Sequence, residues 1–479
     1  MSIKVFRMGL KVLITAFVFL VGSVEGYQSV KEFGAVGNGK ADDTRSLQRA
    51  VDSGGGDVFI PKGVYKVTKT VVIDLDRLGF TSITGTGDAT ILMAGAGPAF
   101  RFIGTHEGTA APKTVKENVW QKQRKPSVRG IEIVGAHPKA CGIEATGTMK
   151  LTVSRVLIRK ALHGIHLLKR NRNVIVSDCH IYENRGIGIY LDDVNLHQIN
   201  VGNSHISYNE QGGIVVRGGN VRNLQVGNCD IEGNMGKDTP PTANVFIDPS
   251  GGTIGEIAIT GCTIQHSHDA PDSANIRILG PGDVRPYAER ETRDGNITIT
   301  GNVLSDVQIN VHIVKGRGIT IVGNTFWKGY EANLVIEGCS QVVVGPNVFD
   351  RNPRYHYGDG ATAKLGVIFK DCSDGILSGL QINEVKQHRG GLVLEDCQRM
   401  NISGCNLLNC AGSGFYLERI EDCIITGCAV QSLGEKVKDP VAVTLTEGKG
   451  NLISNNLFTG RVNVKDGSAT LQNNSVRAK

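Results

Sequence analysis

The sequence has few aromatic residues and few long apolar runs. Aromatic residues make up 5% of the 479 residues, and two of them are tryptophan. A hydrophobic content of 40% is enough for a continuous apolar core but not for a membrane protein. No lysine- or arginine-rich run marks a nucleic-acid footprint, and the net charge of +6 mildly favours acidic partners. These features predict a soluble protein that does not bind nucleic acid.

Residues 1–26 have the order of a secretory signal peptide. Lys4, Arg7 and Lys11 precede an apolar run over 12–21, and the small residues Gly22 and Ser23 follow it. The run is short for a bilayer span, although an uncleaved anchor is the alternative interpretation. We therefore expect a secreted or periplasmic protein with no membrane segment after signal removal.

Self-similarity is the strongest pattern in the remaining chain. Segments like Ile297–Asn302 recur mostly every twenty to twenty-five residues, are apolar at alternate positions and then turn at Gly, Asp or Asn. Copies begin at Leu151, Val174, Ile199, Leu224, Ile257, Ile319, Val342, Ile376, Met400, Cys423, Asn451 and Ala469. A second short strand, such as Gly188–Asp192 or Gly213–Arg217, recurs in many repeats, and no helical pattern separates the strands. The pattern predicts an all-β fold, a single-stranded right-handed parallel β-helix, rather than leucine-rich repeats or a propeller.

The sixth position of the repeat predicts an internal ladder. After Val156 it holds Cys179, Ser204, Cys229, Cys262, Asn302, Asn324, Asn347, Gln381, Cys405, Cys428, Asn456 and Asn474. In stacked coils, small residues and amides at this position can pack against, or hydrogen-bond with, the residue at the same position of the next coil. Cys339, Cys372 and Cys397 form a similar column. Most of the 11 cysteines are therefore expected to be buried fillers rather than disulfides, and Cys229 with Cys262 is the pair to test.

An N-terminal cap is expected before the repeats. Asp42 or Asp43 can cap a helix in which Leu47, Ala50 and Val51 share one face, suited to closing the end of a coil stack. The predicted organisation is a signal peptide over 1–26 and a β-helix domain over 27–479. Residues 27–100 form the cap and first coils, and 101–479 form the remaining coils.

The segment over 33–65, which includes the run from Phe33 to Thr44, closely resembles the N-terminal signature of the pectate lyase superfamily, with its rhamnogalacturonase and epimerase-like branch. The resemblance implies a β-helix that engages carbohydrate, with the polymer in a groove along one outward strand face. It does not specify the reaction, because similar caps occur in hydrolases, lyases, epimerases and phage tailspikes.

Polar residues of the second strand are the candidates for such a groove. His166, Tyr190, Arg277 and His312 hold the same place in their strands, so alternation predicts that they share a face. Insertions over 235–243, 265–274, 280–295 and 351–364 are expected to wall this face near its middle coils.

Two chemistries fit the candidates. Hydrolysis needs two carboxyl groups, for which Asp192, Asp193 and Asp248 are available. Lysis of a uronate polymer needs a cation and a base, which Arg217, Arg277, His312 and Lys315 could supply. The predicted catalytic residues are Asp192, Asp248, Arg277, His312 and Lys315, and the predicted substrate-binding residues are His166, Tyr190, Arg217, His266 and His268.

Polygalacturonases are matched only in part. Asp192 and Asp193 resemble their paired aspartates, and Arg277–Leu279 resembles their Arg-Ile-Lys element without its lysine. His163 and Gly164 precede the aspartates, whereas the corresponding polygalacturonase element follows them. His266, His268 and Asp269 lack a complete metal-ligand set, so no metal site or cofactor is predicted, and calcium at acidic loop residues stays open.

The preferred interpretation is an exported, monomeric glycoside hydrolase or polysaccharide lyase acting on an acidic polysaccharide. A non-catalytic carbohydrate-binding or surface protein and a polysaccharide epimerase are the alternatives.

Overall fold

The chain winds into a right-handed parallel β-helix with three strand faces. The computed structural model describes residues 28–280, 295–433 and 437–478, with the backbone also of 285–287 and 290–292. The predicted signal peptide lies outside the described residues. Among those described, no helix combines the length and the apolar character needed to cross a membrane.

The first face carries the second strand of each repeat. Its strands are Val71–Asp74, Gly97–Ile103, Ala140–Met149, Ile165–Ser177, Ile189–Gly202, Ile214–Arg217, Ala243–Asp248, Ala274–Leu279, Val307–Val314, Gly329–Glu337, Gly366–Lys370, Gly390–Glu395, Ser413–Glu418, Val441–Leu445 and Arg461–Val464.

The second face carries the repeat template, and the strands Ile165–Ser177 and Ile189–Gly202 bend to continue onto it. Its other strands are Gln28–Ser29, Asp57–Ile60, Ser82–Gly85, Ser127–Arg129, Thr152–Ser154, Asn220–Gly227, Thr253–Thr260, Gly295–Thr300, Arg317–Val322, Ser340–Val344, Ser373–Ser378, Gln398–Ser403, Ile420–Glu421, Ile424–Thr426, Gly448–Lys449, Asn451–Ser454 and Ala469–Gln472.

The third face follows the ladder position. Its strands are Asn38–Asp42, Gly63–Val67, Ala89–Met93, Glu132–Gly135, Leu157–Arg159, His180–Tyr182, His205–Ser207, Asp230–Glu232, Thr263–Gln265, Val303–Ser305, Thr325–Phe326, Val348–Phe349, Gln381–Asn383, Asn406–Leu408, Ala429–Gln431, Leu457–Thr459 and Ser475–Arg477. A separate antiparallel pair joins Arg285–Tyr287 to Arg290–Thr292.

Helical segments are short. Two α-helices cover Thr44–Asp52 and Leu75–Leu78, two 3₁₀ turns cover Pro112–Thr114 and Gly358–Thr362, and a π turn covers Val119–Gln123. The first helix buries Leu47, Ala50 and Val51, as the sequence predicts. Asp43 occupies its N-cap position, but the Asp43 carboxylate accepts hydrogen bonds from the backbone of Val36 and Gly37.

The predicted ladder is confirmed, with one error. Asn302 Nδ2 donates to Asn324 Oδ1 at 3.0 Å, and Asn324 Nδ2 donates to Asn347 Oδ1 at 3.0 Å. Gln381, however, pairs with Val348 on the third face, so buried Leu380 is the ladder residue of that coil. The prediction fails there because the template was aligned one residue too late, and a shift of one residue changes the face.

A second asparagine ladder was not predicted. It consists of Asn184, Asn209, Asn234, Asn244, Asn275, Asn310 and Asn333, all fully buried. In the first six, Nδ2 donates to the Oδ1 of the next asparagine at 2.7–2.8 Å. These bonds satisfy amides that would be costly to bury alone. The ladder joins seven coils at the corner between the third and first faces.

The cysteines give a direct test of the packing. All 11 are buried free thiols in the structure, including Cys229 and Cys262. We expect no alkylation of native protein within minutes and 11 alkyl groups per chain in denaturant without reductant, measured by intact mass. Fewer than 11 alkyl groups per chain in freshly denatured protein would indicate disulfides.

Candidate functional site

The first face carries one outward column of side chains across its middle coils. Strand register aligns His166, Tyr190, Val215, Phe246, Arg277 and His312 in that order. The alternation in the sequence therefore correctly places the four predicted polar residues on one face. The column separates them into two groups, because Val215 is fully buried and Phe246 is 8% exposed.

The first group, here called the histidine–tyrosine cluster, consists of His163, His166, Tyr190, Asp192 and Arg217. His166 Nε2 lies 3.0 Å from Asp192 Oδ2, and the rings of His166 and Tyr190 stack with centroids 5.0 Å apart and an interplanar angle of 3°. The His163 ring packs 5.2 Å from that of Tyr190. Arg217 pairs in register with Asp192 on the next coil, and its guanidinium lies 6.0 Å from the Phe246 ring.

Burial sets the protonation states inside this cluster. Burial, with a smaller contribution from Asp192, raises the pKa of Tyr190 and keeps its phenol protonated. Burial, assisted by His166, lowers the pKa of His163 to about 4. His163 Nδ1 accepts a hydrogen bond from the backbone N–H of Ile187 at 3.2 Å, so its proton resides on Nε2. The cluster thus combines a protonated phenol with a neutral imidazole.

The low pKa of His163 predicts a loss of stability in acid. Between about pH 6.5 and pH 4 the unfolded chain binds a proton at His163 that the folded protein does not, so stability falls as the pH is lowered through this window. The contribution is at most ~3 kcal/mol. We expect the His163→Gln variant to show a flatter decline in urea midpoint from pH 7 to pH 4 than the parent. An equally steep decline would contradict the assignment.

The second group surrounds Arg277, which is 4% exposed. Its guanidinium donates to the Asp272 backbone oxygen at 2.8 Å and to Asp272 Oδ1 at 2.9 Å, and Nε donates to His312 Nδ1 at 3.3 Å. Burial and the Arg277 charge lower the pKa of His312. Glu337 Oε1 lies 3.8 Å from His312 Nε2. Arg277 therefore holds an insertion and orients His312, and it has little surface for a ligand.

Asp248 and Lys315 lie at strand ends. Asp248 follows Arg217 in the outward register, and its Oδ1 accepts from the Ser250 backbone N–H at 3.0 Å. Lys315 is exposed at the corner after its strand, with φ of +56°. Three coils separate Tyr190 from Arg277, or about 14 Å. The structure therefore does not gather the predicted catalytic residues into one site.

The insertions do form a wall along the first face. Those over 235–243, 265–274 and 351–364 all leave the coil at the corner between the third and first faces. Lys237 and Asp269 join the first two at 2.7 Å. His268 stacks on Tyr330 at 4.0 Å, and its Nε2 lies 3.1 Å from Asp359 Oδ2, which joins the second insertion to the third. The insertion over 280–295 lies largely outside the described residues.

His266 and His268 thus belong to the wall. The His266 backbone oxygen accepts from Asn244 Nδ2 of the buried asparagine ladder at 3.0 Å. Within the described part of the chain, no group of three or more His, Cys, Asp or Glu side chains is placed to hold a metal ion.

The carboxylates in and beside the histidine–tyrosine cluster already have partners. Asp192 engages His166, while Glu144, one coil before His166, accepts from Arg101 Nε at 2.5 Å. Hydrolysis requires two carboxyl groups that flank the same glycosidic bond, one of them protonated. An imidazole, a phenol and a guanidinium on three adjacent coils are better suited to moving a proton beside a bound carboxylate.

Sequence reasoning missed His163 and Asp272 as parts of these groups. His163 precedes its strand and was considered only for a polygalacturonase-like element. Asp272 lies in an insertion whose path the repeat does not determine. The outward column was readable from alternation, but contacts between an insertion and a strand were not.

Two family models match the chain. Residues 121–264 match the model described as right-handed beta helix region, and residues 255–476 match that described as periplasmic copper-binding protein (NosD). With the coil geometry above, these matches identify a protein with the right-handed parallel β-helix fold of the pectate lyase superfamily.

Individual relatives match only short stretches. Over 44 residues the chain is 50% identical to Alginate lyase 7 of Azotobacter vinelandii, covering 8% of this chain and 5% of that protein. Over 44 residues it is 48% identical to a mannuronan C5-epimerase of the same organism, and the match covers 8% of this chain and 2% of that protein. The Dettilon tailspike structure covers 88% of this chain and 69% of its own, with a TM-score of 0.50 and 13% identity, which shows shared fold alone.

Proposed function

We propose that this protein is a polysaccharide lyase that removes the C5 proton of a uronate residue at the histidine–tyrosine cluster. The observation that supports this is the packing of His166, Tyr190, Asp192 and Arg217 on three adjacent coils of an outward face. The short matches to an alginate lyase and a mannuronan epimerase are consistent with it, because both names denote enzymes of uronate polymers.

Arg217, His166 and Tyr190 each have one role in this reaction. Arg217 is exposed and binds the uronate carboxylate, which stabilises the charge that develops there. His166 donates from Nε2 to Asp192, so Nδ1 is its basic nitrogen and takes the C5 proton. Tyr190, whose raised pKa keeps it protonated, gives its proton to the leaving O4.

The step is balanced without a cofactor. The C5–H bond breaks, a C4–C5 double bond forms, and the C4–O bond breaks as its oxygen takes the tyrosine proton. Return of a proton to C5 from the opposite face, without loss of O4, would instead give an epimer. The same cluster therefore supports a lyase first and an epimerase second.

A substrate panel tests the proposal. Purified protein is incubated with alginate, polygalacturonate, a sulfated glycan and a neutral glucan. Ultraviolet absorbance of an unsaturated uronate, with an uncleaved neutral glucan, is the expected result. New reducing ends without that absorbance would indicate a hydrolase, and binding with neither product nor a changed uronate stereochemistry would indicate a binding protein.

We also propose that the protein works outside the cytoplasm as a monomer. The charge and apolar pattern of residues 1–26 supports export, as does the periplasmic description of the matched family model. The mass of the mature chain and its size in solution test both points. An unprocessed N-terminus in the cell envelope or a stable oligomer would contradict them.

A further inference from the structure

Aromatic residues are rare in this chain, yet two of them pack together at the third insertion and the coil beside it, and a third follows two residues later. The rings of Trp327 and Tyr355 pack with centroids 4.3 Å apart and a tilt of 39°. Tyr355 is 36% exposed, and Tyr357, two residues further along, is 74% exposed. Trp327, Tyr355 and Tyr357 are here called the aromatic surface. Large rings so exposed need a reason when they cluster.

The insertion is held by buried contacts. Arg351 is buried, and its Nε donates to the Glu384 backbone oxygen at 2.9 Å while its other nitrogens donate to the backbone oxygens of Ala361 and Ala363. His356 Nδ1 lies 2.9 Å from the Asn352 backbone oxygen. The rings are therefore presented on an ordered loop, which limits the conformational entropy lost when a ligand binds.

Cations flank the rings. The guanidinium carbon of the exposed Arg354 lies 5.7 Å from the Tyr355 ring centroid. Lys328 Nζ lies 5.8 Å from that of Trp327, but it is paired with Asp306 Oδ1 at 3.2 Å. Ring faces suit the apolar C–H face of a pyranose, whereas the guanidinium of Arg354 suits a carboxylate. This combination matches the chemistry of a uronate chain.

The aromatic surface and the histidine–tyrosine cluster lie along the same helical axis. Six strand pairings separate the coil of Tyr190 from the coil that follows the third insertion, or about 29 Å. The insertion over 265–274 contacts Arg277, through Asp272, and Tyr330, which lie on coils between the two sites. A sugar in an extended 1→4-linked chain advances by about the spacing of one coil.

We propose that the aromatic surface is a distal subsite for the anionic polysaccharide, about six sugars from Tyr190. This rests on the proposed function for the identity of the polymer. The surface binds the chain and does not take part in the chemistry. Its contribution to affinity depends on the length of the polysaccharide, because a short fragment cannot occupy both the aromatic surface and the histidine–tyrosine cluster.

Tryptophan fluorescence tests the subsite without a need for turnover. In a Trp120→Phe, Tyr190→Phe background, Trp327 is the one remaining tryptophan. It is titrated with alginate and polygalacturonate fragments of about four and about ten sugars, which fall short of and exceed the span. We expect saturable fluorescence change with the longer fragments of one polymer. Tyr357→Ala should raise the Kd about five- to tenfold.

Tyr208→Ala is the matched control, since Tyr208 is 55% exposed on another part of the coil stack. It should leave the Kd unchanged. In the active protein, Tyr357→Ala should raise KM for long polymer and leave kcat unchanged. Unchanged Kd in Tyr357→Ala, or no fluorescence change with either polymer, would overturn the subsite. Product formation without binding at Trp327 would contradict the subsite and leave the proposed function standing. Binding at Trp327 without product would contradict the proposed function and leave the subsite standing.

Discussion

Tyr190→Phe is expected to lower kcat/KM on the cleaved polymer by about 10²- to 10⁴-fold, the usual contribution of a positioned acid. The substitution removes only the hydroxyl, so the ring keeps its stacking on His166 and its packing against His163. Without the proton donor, the leaving O4 must depart as an anion or take its proton from water. The rate of unsaturated product formation measures the effect.

Tyr416→Phe is the control for this prediction. Tyr416 lies on the same outward column of the first face, several coils away, with its hydroxyl 3.2 Å from Glu418 Oε2. We expect nearly full activity from this variant. If Tyr190→Phe also keeps full activity while its urea midpoint is unchanged, the histidine–tyrosine cluster is not the catalytic site.

Asn244→Ala is expected to lower the free energy of unfolding by about 3 kcal/mol or more. Asn244 Oδ1 accepts from Asn234 Nδ2 at 2.7 Å, and Asn244 Nδ2 donates to Asn275 Oδ1 at 2.8 Å and to the Gln265 backbone oxygen at 2.9 Å. Truncation leaves at least three buried polar atoms without these partners. Urea unfolding followed by circular dichroism measures the change.

Asn200→Ala is the matched control for the ladder. Asn200 lies in a strand of the same β-helix, but its side chain is exposed on the second face. Its replacement should change stability by no more than about 0.5 kcal/mol. A cost for Asn244→Ala below about 1 kcal/mol would show that neighbouring coils do not depend on the ladder.

The accuracy of sequence-based prediction differed between regular coils and insertions. Asn184, Asn209 and Asn234 recur every 25 residues and could have revealed the second ladder. An insertion then places Asn244 only ten residues after Asn234, although the two amides are in contact. The regular spacing is lost there because the chain leaves the coil to build the wall. The same irregularity concealed the pairing of Arg277 with Asp272.

Candidate residues show the same difference. His166, Tyr190, Asp192 and Arg217 lie on adjacent regular coils, so alternation and spacing were enough to expect them on one surface. Arg277 and His312 share the outward column, but burial of Phe246 and the contact with Asp272 separate them from the cluster. No local pattern shows whether an outward position is covered by an insertion.

The sequence by itself determined the coil stack, its capping helix and the Cys/Asn ladder. It could do so because each strand alternates between core and solvent, and successive coils repeat nearly the same apolar pattern, so local residues dictate their own faces. Only the tertiary structure decided which charges meet, that Arg277 is buried, and that His163 joins Tyr190. Those outcomes depend on contacts between segments that are far apart in the sequence. Burial and hydrogen bonding at such contacts cannot be read from the local residue pattern.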